Sequence, residues 1–140
     1  MACIVLDSDL LIALLRGMER AVAFVETLER EGEELATTVV NLYELYRGAL
    51  RRGRRHVEAV RELELLLEVL PLDAGAARLA AEEQARLEAE GRPLEVRDLL
   101  IAAIAVSRGC RVATCNVRHF GRVRGLGVLD WCRGGSLGEG

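Results

Sequence analysis

The chain has 140 residues, 51% of them apolar, with a formal net charge of −3; that is material for one core, and a single domain over residues 1–140 is expected. A charge so near balance excludes a polycation that coats nucleic acid, and no apolar run reaches the roughly 18–20 residues that span a bilayer, so no membrane is expected among its partners. The opening MACIVLDSD meets acid at Asp7 with no basic leader before it, which reads as no secretory signal and makes the cytoplasm the expected compartment.

Residues 2–6 (ACIVL) are a short apolar run rich in β-branched side chains, the pattern of a buried strand. Helical text follows in LLIALL and in MERAVAFVETLEREGEE, where Val22, Val25 and Leu28 recur at three-residue spacing. Residues 35–39 (LATTV) read as a second strand. NLYELYRGALRRG and HVEAVRELELLLEVL then read as two helices separated near Gly53. EVLPLD, residues 68–73, reads as a third strand that Pro71 confines to an edge or an end. Residues 74–90 are rich in alanine and glutamate and strongly helical, and the chain breaks at 91–93. Residues 98–109 (DLLIAAIAVSRG) form a helix apolar on nearly all sides, hence buried, which stops at Gly109. RVAT at 111–114 and GVLD at 127–130 are two last strands.

Five short strands alternating with about six helices predict an α/β fold with a parallel sheet covered on both faces. In such sheets ligands bind beyond the carboxyl ends of the strands. That rule directs attention to Asp7 to Asp9, Thr37 to Glu44 and Thr114 to His119.

Cys3, Cys110, Cys115 and Cys132 have no CxxC or zinc-ribbon spacing. A zinc trio of Cys110, Cys115 and His119 falls short of the four ligands a structural zinc takes. The cysteines therefore read as small buried hydrophobes, and disulfides are not expected of a cytosolic chain, thermophiles aside. The chain contains no lysine. Its arginines gather in RGALRRGRRH (Arg47, Arg51, Arg52, Arg54, Arg55) and VRHFGRVRG (Arg118, Arg122, Arg124). Guanidinium forks suit phosphate; the plainer reading is solvated helix faces paired with the many glutamates.

Aspartate is scarce, at positions 7, 9, 73, 98 and 130. Asp7 ends the most apolar strand, Asp98 precedes LLIAAIA, and Glu44 interrupts VVNLYELY. Taken singly, Asp7 and Asp98 read equally well as helix caps, and Glu44 as a surface partner of Arg47. Taken together they read as a converging set. Two carboxylates about 4 Å apart repel by about 4 kcal/mol at an effective dielectric near 20, so such a set calls for a cation. All-oxygen ligands favour Mg²⁺ or Mn²⁺, and a metal so held activates water for phosphodiester hydrolysis.

The segments IVLDSDLLIALLRG, ATTVVNLYELYRGAL, RPLEVRDLLIAAIA and VATCNVRHFGRVRGLGVLDW resemble, in order and with normal spacing, the four blocks of PIN domains, most closely the VapC-type toxin ribonucleases. The resemblance implies a three-layer α/β/α sandwich with a mainly parallel, about five-stranded central sheet. It implies an Mg²⁺- or Mn²⁺-dependent ribonuclease, the toxin of a toxin–antitoxin pair, commonly a homodimer and silenced by a VapB-type antitoxin. By position, Asp7, Glu44 and Asp98 match the three acids. The fourth block, T-x-N/D-x-x-acid-F, reads Thr114, Asn116, His119 and Phe120, so the fourth carboxylate is missing. Asn116 offers a neutral amide oxygen, directly or through water, and Asp9 is a lesser candidate to compensate. Thr37 or Thr38 and Thr114 match hydroxyls that line the pocket. Arg47, Arg51, Arg52, Arg54, Arg118 and His119 are the candidate RNA contacts.

Two rivals remain at this point. VLDSDLL resembles the strand-end DxD of HAD-like phosphatases, with Asp7 as nucleophile and Asp9 as acid/base, although the basic residue normally used there is lysine. A catalytically silent PIN-fold binding protein is the other. Neither GxxxxGK[ST] nor GxGxxG is present, which leaves nucleotide-cofactor folds without support.

Overall fold

A computed structural model of the protein describes residues 3–133; residue 2 of the expected first strand and residues 134–140 of the expected domain lie outside the described residues. Strand β1 (Cys3–Leu6) occupies the middle of the sheet. It pairs with β2 (Glu34–Thr38) on one side and β4 (Cys110–Thr114) on the other, with Ile4 opposite Leu35 and Val5 opposite Val112. The short strands β3 (Glu68–Leu70) and β5 (Val128–Asp130) form the edges, giving the order β3-β2-β1-β4-β5 with every pairing parallel.

Alternation along β1 divides the core in two. Ile4 and Leu6 point to one face, where α1 (Ser8–Leu15), α2 (Glu19–Arg30), α3 (Val39–Arg52) and α4 (Arg54–Leu66) contribute Leu10, Leu28, Leu45 and Val60. Val5 points to the other, against Ala80 and Leu87 of α5 (Ala74–Ala89) and Leu99 and Ile101 of α6 (Val96–Ser107). Two apolar layers on one parallel sheet make the α/β/α sandwich.

The expected elements are present, with local differences. A seventh helix, α7 (Val117–Phe120), lies between β4 and β5; four residues are too few to set a period in the sequence, but they bury Phe120 completely. Strand β3 sits at an edge and ends just before Pro71. Helix α6 begins two residues before the expected start at 98 and ends at Ser107, with Gly109 at φ +70° turning the chain into β4. Asp98 therefore lies inside the first turn and Glu95 is the cap residue.

The cysteines are not free hydrophobes. Cys3 is bonded to Cys110 and Cys115 to Cys132. Cys3 and Cys110 are register partners on β1 and β4 with Cα atoms 4.6 Å apart, and Cys115 and Cys132 follow β4 and β5 with Cα atoms 5.2 Å apart, both inside the range a disulfide requires. The zinc trio is excluded as well, since both of its cysteines are bonded elsewhere.

Glu83 of α5 is buried and fixes the segment that leads into β5. Its carboxylate accepts a two-pronged contact from Arg86 (2.8 and 3.0 Å) and the Arg124 backbone N–H at 2.9 Å, while Arg86 also donates to the Arg122 carbonyl. Chiefly through the Arg86 hydrogen bonds, the Glu83 pKa falls from 4.5 to about 2. A lowered folded-state value means the contribution to stability is complete above the ordinary pKa and is lost as pH falls toward the folded one. Glu83→Gln is expected to flatten the acid limb of the stability curve between pH 4.5 and about 2, followed by circular dichroism during urea unfolding. Parallel curves for the variant and the wild type would contradict this.

Candidate active site

The sheet order reverses between β1 and β4, and the carboxyl ends of β1, β2 and β4 meet under the first turns of α1, α3 and α6, where an open parallel sheet binds its ligands. Asp7 leaves β1 and caps α1, its Oδ1 accepting the Ser8 N–H at 2.8 Å. The cap reading therefore holds for Asp7. Asp7 is 3% exposed, and each of its oxygens is satisfied: Oδ1 also accepts from Asn41 Nδ2 and an Arg97 nitrogen, both at 3.0 Å, and Oδ2 accepts from Thr114 Oγ1 at 2.7 Å.

The three expected acids meet around one side chain, Arg97. Its Nε and Nη2 donate to Glu44 Oε2 and Oε1 at 2.6 and 2.9 Å, its Nη2 also reaches Asp7 Oδ1, and its Nη1 donates to Asp98 Oδ1 at 2.6 Å. Glu44 thus faces inward to Arg97 and to the Ser8 hydroxyl (2.7 Å). Burial alone would raise the Glu44 pKa; the hydrogen bonds from Arg97 and Ser8 and the charge of Arg97 outweigh it and hold the carboxyl below its ordinary value. Burial likewise opposes the charge of Arg97, but Glu44, Asp7 and Asp98 together hold its guanidinium even more firmly protonated than usual.

Ser8, Asn41 and Arg97 were not among the sequence candidates. Asn41 is fully buried; its amide donates to Asp7 Oδ1 and Ser8 Oγ, and its Oδ1 accepts from Thr38 Oγ1 at 2.7 Å. Two signals were available: Asn41 stands three residues after a threonine cap and one helical turn before Glu44, and Arg97 is a cation in the first turn of an apolar helix.

The hydroxyl candidates occupy three different roles. Thr37 Oγ1 donates to the Leu6 carbonyl at 2.9 Å, Thr38 caps α3, and Thr114 reaches Asp7 directly. The Asn116 N–H donates to Thr114 Oγ1 at 2.9 Å, which places Asn116 beside the cluster at the start of α7. Asp9 accepts from the Cys115 N–H at 2.8 Å and the Trp131 indole N–H at 3.1 Å, so it braces the ends of β4 and β5, and its Oδ2 lies 3.4 Å from the Thr114 hydroxyl that also serves Asp7. Burial raises its pKa, against the lowering effect of the Cys115 hydrogen bond. Arg47, Arg51, Arg52, Arg54 and Arg118 are exposed, and among the described residues none of them joins an ion pair. His119 Nδ1 is buried with no hydrogen-bond partner and lies 4.0 Å from Asp98 Oδ2.

The donor set of Asp7, Glu44 and Asp98 is hard carboxylate oxygen, which fits a hard divalent cation, and the orphaned His119 nitrogen is one more polar atom at its edge. As the side chains lie, no group of three acids, histidines or cysteines among the described residues is arranged to share one ion. The three acids share Arg97 instead.

Residues 4–126 match the PIN domain family. The chain is 31% identical over 128 residues to a tRNA(fMet)-specific endonuclease VapC of Shigella flexneri, covering 90% of this chain and 96% of that protein. It is 37% identical over 114 residues to ribonuclease VapC5 of Mycobacterium tuberculosis, covering 79% and 80% of the two chains. Among solved structures it resembles a DNA-bound VapBC complex from Salmonella typhimurium, with a TM-score of 0.82, 29% identity, and coverage of 94% of this chain and 100% of that one.

Asp9→Ala removes the acceptor shared by Cys115 and Trp131. The expected cost is about 1–3 kcal/mol, the range for leaving a buried donor unpaired, with a shift in the emission of Trp131, the single tryptophan. Unchanged stability and emission would mean that Asp9 does not brace these strand ends.

Proposed function

The chain belongs to the PIN-domain family, and from that premise we propose that it is a divalent-metal-dependent endoribonuclease, the toxin of a toxin–antitoxin pair. The observation that carries this reading is the meeting of Asp7, Glu44 and Asp98 on one point from β1, α3 and α6. Relatives that match 90% and 79% of the chain are named as a tRNA(fMet)-specific endonuclease and a ribonuclease.

In this reading the three carboxylates hold an Mg²⁺ or Mn²⁺ ion, which when bound supplies Lewis-acid activation of water and neutralises charge on a phosphoryl oxygen. Asn41, Ser8 and Thr114 keep the acids oriented through the hydrogen bonds described above, a supporting shell of the kind metal sites depend on. Asn116 contributes an amide oxygen through water and no charge. Arg47, Arg51, Arg52, Arg54, Arg118 and His119 draw the RNA backbone to the mouth of the site through its phosphates.

The partners are RNA, a second copy of the chain and a VapB-type antitoxin; solved relatives include VapBC complexes. A groove of about 340 Å³ between α1, α3 and α4 runs up to Glu44, with Ile12, Leu45 and Val60 in its wall and Arg16, Arg52 and Arg55 at its rim. Its chemistry suits an antitoxin segment that is apolar on one side and acidic on the other. No helix among the described residues is long and apolar enough to cross a membrane, and the cytoplasm is the compartment we assign to this function.

Asp7→Asn, Glu44→Gln and Asp98→Asn are each expected to reduce cleavage of a fluorogenic RNA by more than about 100-fold, beyond the 10–100-fold typical of supporting residues, and a chelator to abolish it. Normal cleavage by all three variants would overturn the site assignment. A wild type that neither cleaves RNA nor binds Mn²⁺ would favour the silent binding protein. RNA binding by Asp7→Asn, measured by fluorescence anisotropy, should weaken steeply with salt. Joint replacement of Arg51, Arg52 and Arg54 by alanine should lower the log–log slope by about 2; an unchanged slope would remove these arginines from the RNA path.

A further inference from the structure

The guanidinium of Arg97 bonds to Asp7, Glu44 and Asp98 at once. Both Glu44 oxygens are engaged by it; Asp7 Oδ1 accepts from it and Oδ2 from Thr114; on Asp98, Oδ1 is engaged. A cation that took direct ligands from all three acids would compete with Arg97 for the oxygens of Glu44 and would stand beside a like charge.

Arg97 is also able to leave. Its side chain is 32% exposed, as is that of Glu44, against 4% for Asp7 and 6% for Asp98, so the two aspartates are fixed in the interior while the arginine reaches them from the solvent side. It stands in the first turn of α6, where rotation about its own side-chain bonds carries the fork outward without moving the helix. Two of the acids are held by other bonds as well: Asp7 by Ser8, Asn41 and Thr114, and Glu44 by Ser8. Withdrawal of Arg97 leaves those contacts in place.

We propose that Arg97 is a resident counter-ion of the acid cluster, which a divalent cation must displace in order to bind. This rests on the reading of the three acids as metal ligands. The metal-free protein is thereby spared the repulsion among its carboxylates, and its affinity for the ion is set by a competition inside the chain. A merely structural arginine, holding α6 to α3 and β1, would weaken metal binding when removed, because the acids would lose their alignment.

The two roles separate in calorimetric titrations of Mn²⁺ into the wild type, Arg97→Gln and Arg97→Lys. Arg97→Gln is expected to bind Mn²⁺ about tenfold more tightly, equivalent to ~1.4 kcal/mol. Its metal-free melting temperature should fall and its rise on adding Mn²⁺ should exceed that of the wild type. Arg97→Lys, which keeps the charge and loses the fork, should lie between them. Added methylguanidinium should weaken Mn²⁺ binding to Arg97→Gln far more than to the wild type. If Arg97→Gln, folded by circular dichroism, binds Mn²⁺ no more tightly than the wild type while the wild type cleaves RNA, the counter-ion role is overturned and the nuclease reading stands. If no form binds Mn²⁺, both are overturned.

Discussion

Carboxylates gathered at the ends of parallel strands repel one another, and burial removes the water that would screen them. At about 4 Å and an effective dielectric near 20, each pair costs about 4 kcal/mol, against a total stability for a domain of about 5–15 kcal/mol. Much of the chemistry at the carboxyl end of this sheet answers that constraint. Arg97 supplies charge to Asp7, Glu44 and Asp98; Ser8, Asn41 and Thr114 supply neutral donors to Asp7 or Glu44. The neutral donors fix direction, and the cation fixes sign. Asp9, two residues from Asp7, stands at the border of the cluster: Thr114 lies between the two carboxylates, and the Cys115 N–H and the Trp131 indole hold Asp9 toward the ends of β4 and β5.

The same constraint bears on the fourth block. Asn116 and His119 bring no carboxylate there, and Arg97 stands directly before Asp98 and bonds to it, so three acids are set against one cation of the chain itself.

The layers of the fold were legible because β1 alternates: Ile4 and Leu6 serve one face and Val5 the other. Pro71 marked the edge strand, and Gly109 marked the end of α6. The one-turn helix holding Phe120 gave no periodic signal. The three acids were legible because aspartate is scarce and each acid interrupts apolar text. Arg97 was not, being one of 19 arginines, with its partners 53 and 90 residues away in the chain. Ser8 and Asn41 are common residues whose meaning comes from what folds against them. The cysteine pairings were hidden for a related reason: Cys3 faces Cys110 through the register of β1 on β4, and strand register is not written in the spacing of cysteines.

That register has a topological consequence. The bond between Cys3 and Cys110 spans 107 positions, closing most of the chain into a covalent ring that contains all three acids and Arg97. On a chain-entropy view, closing a ring of this size disfavours the unfolded ensemble by about 4.7 kcal/mol. It also changes what a single cut can do: a protease that nicks any one loop between those cysteines opens the ring without releasing a fragment, and the two ends remain tethered across the central strands.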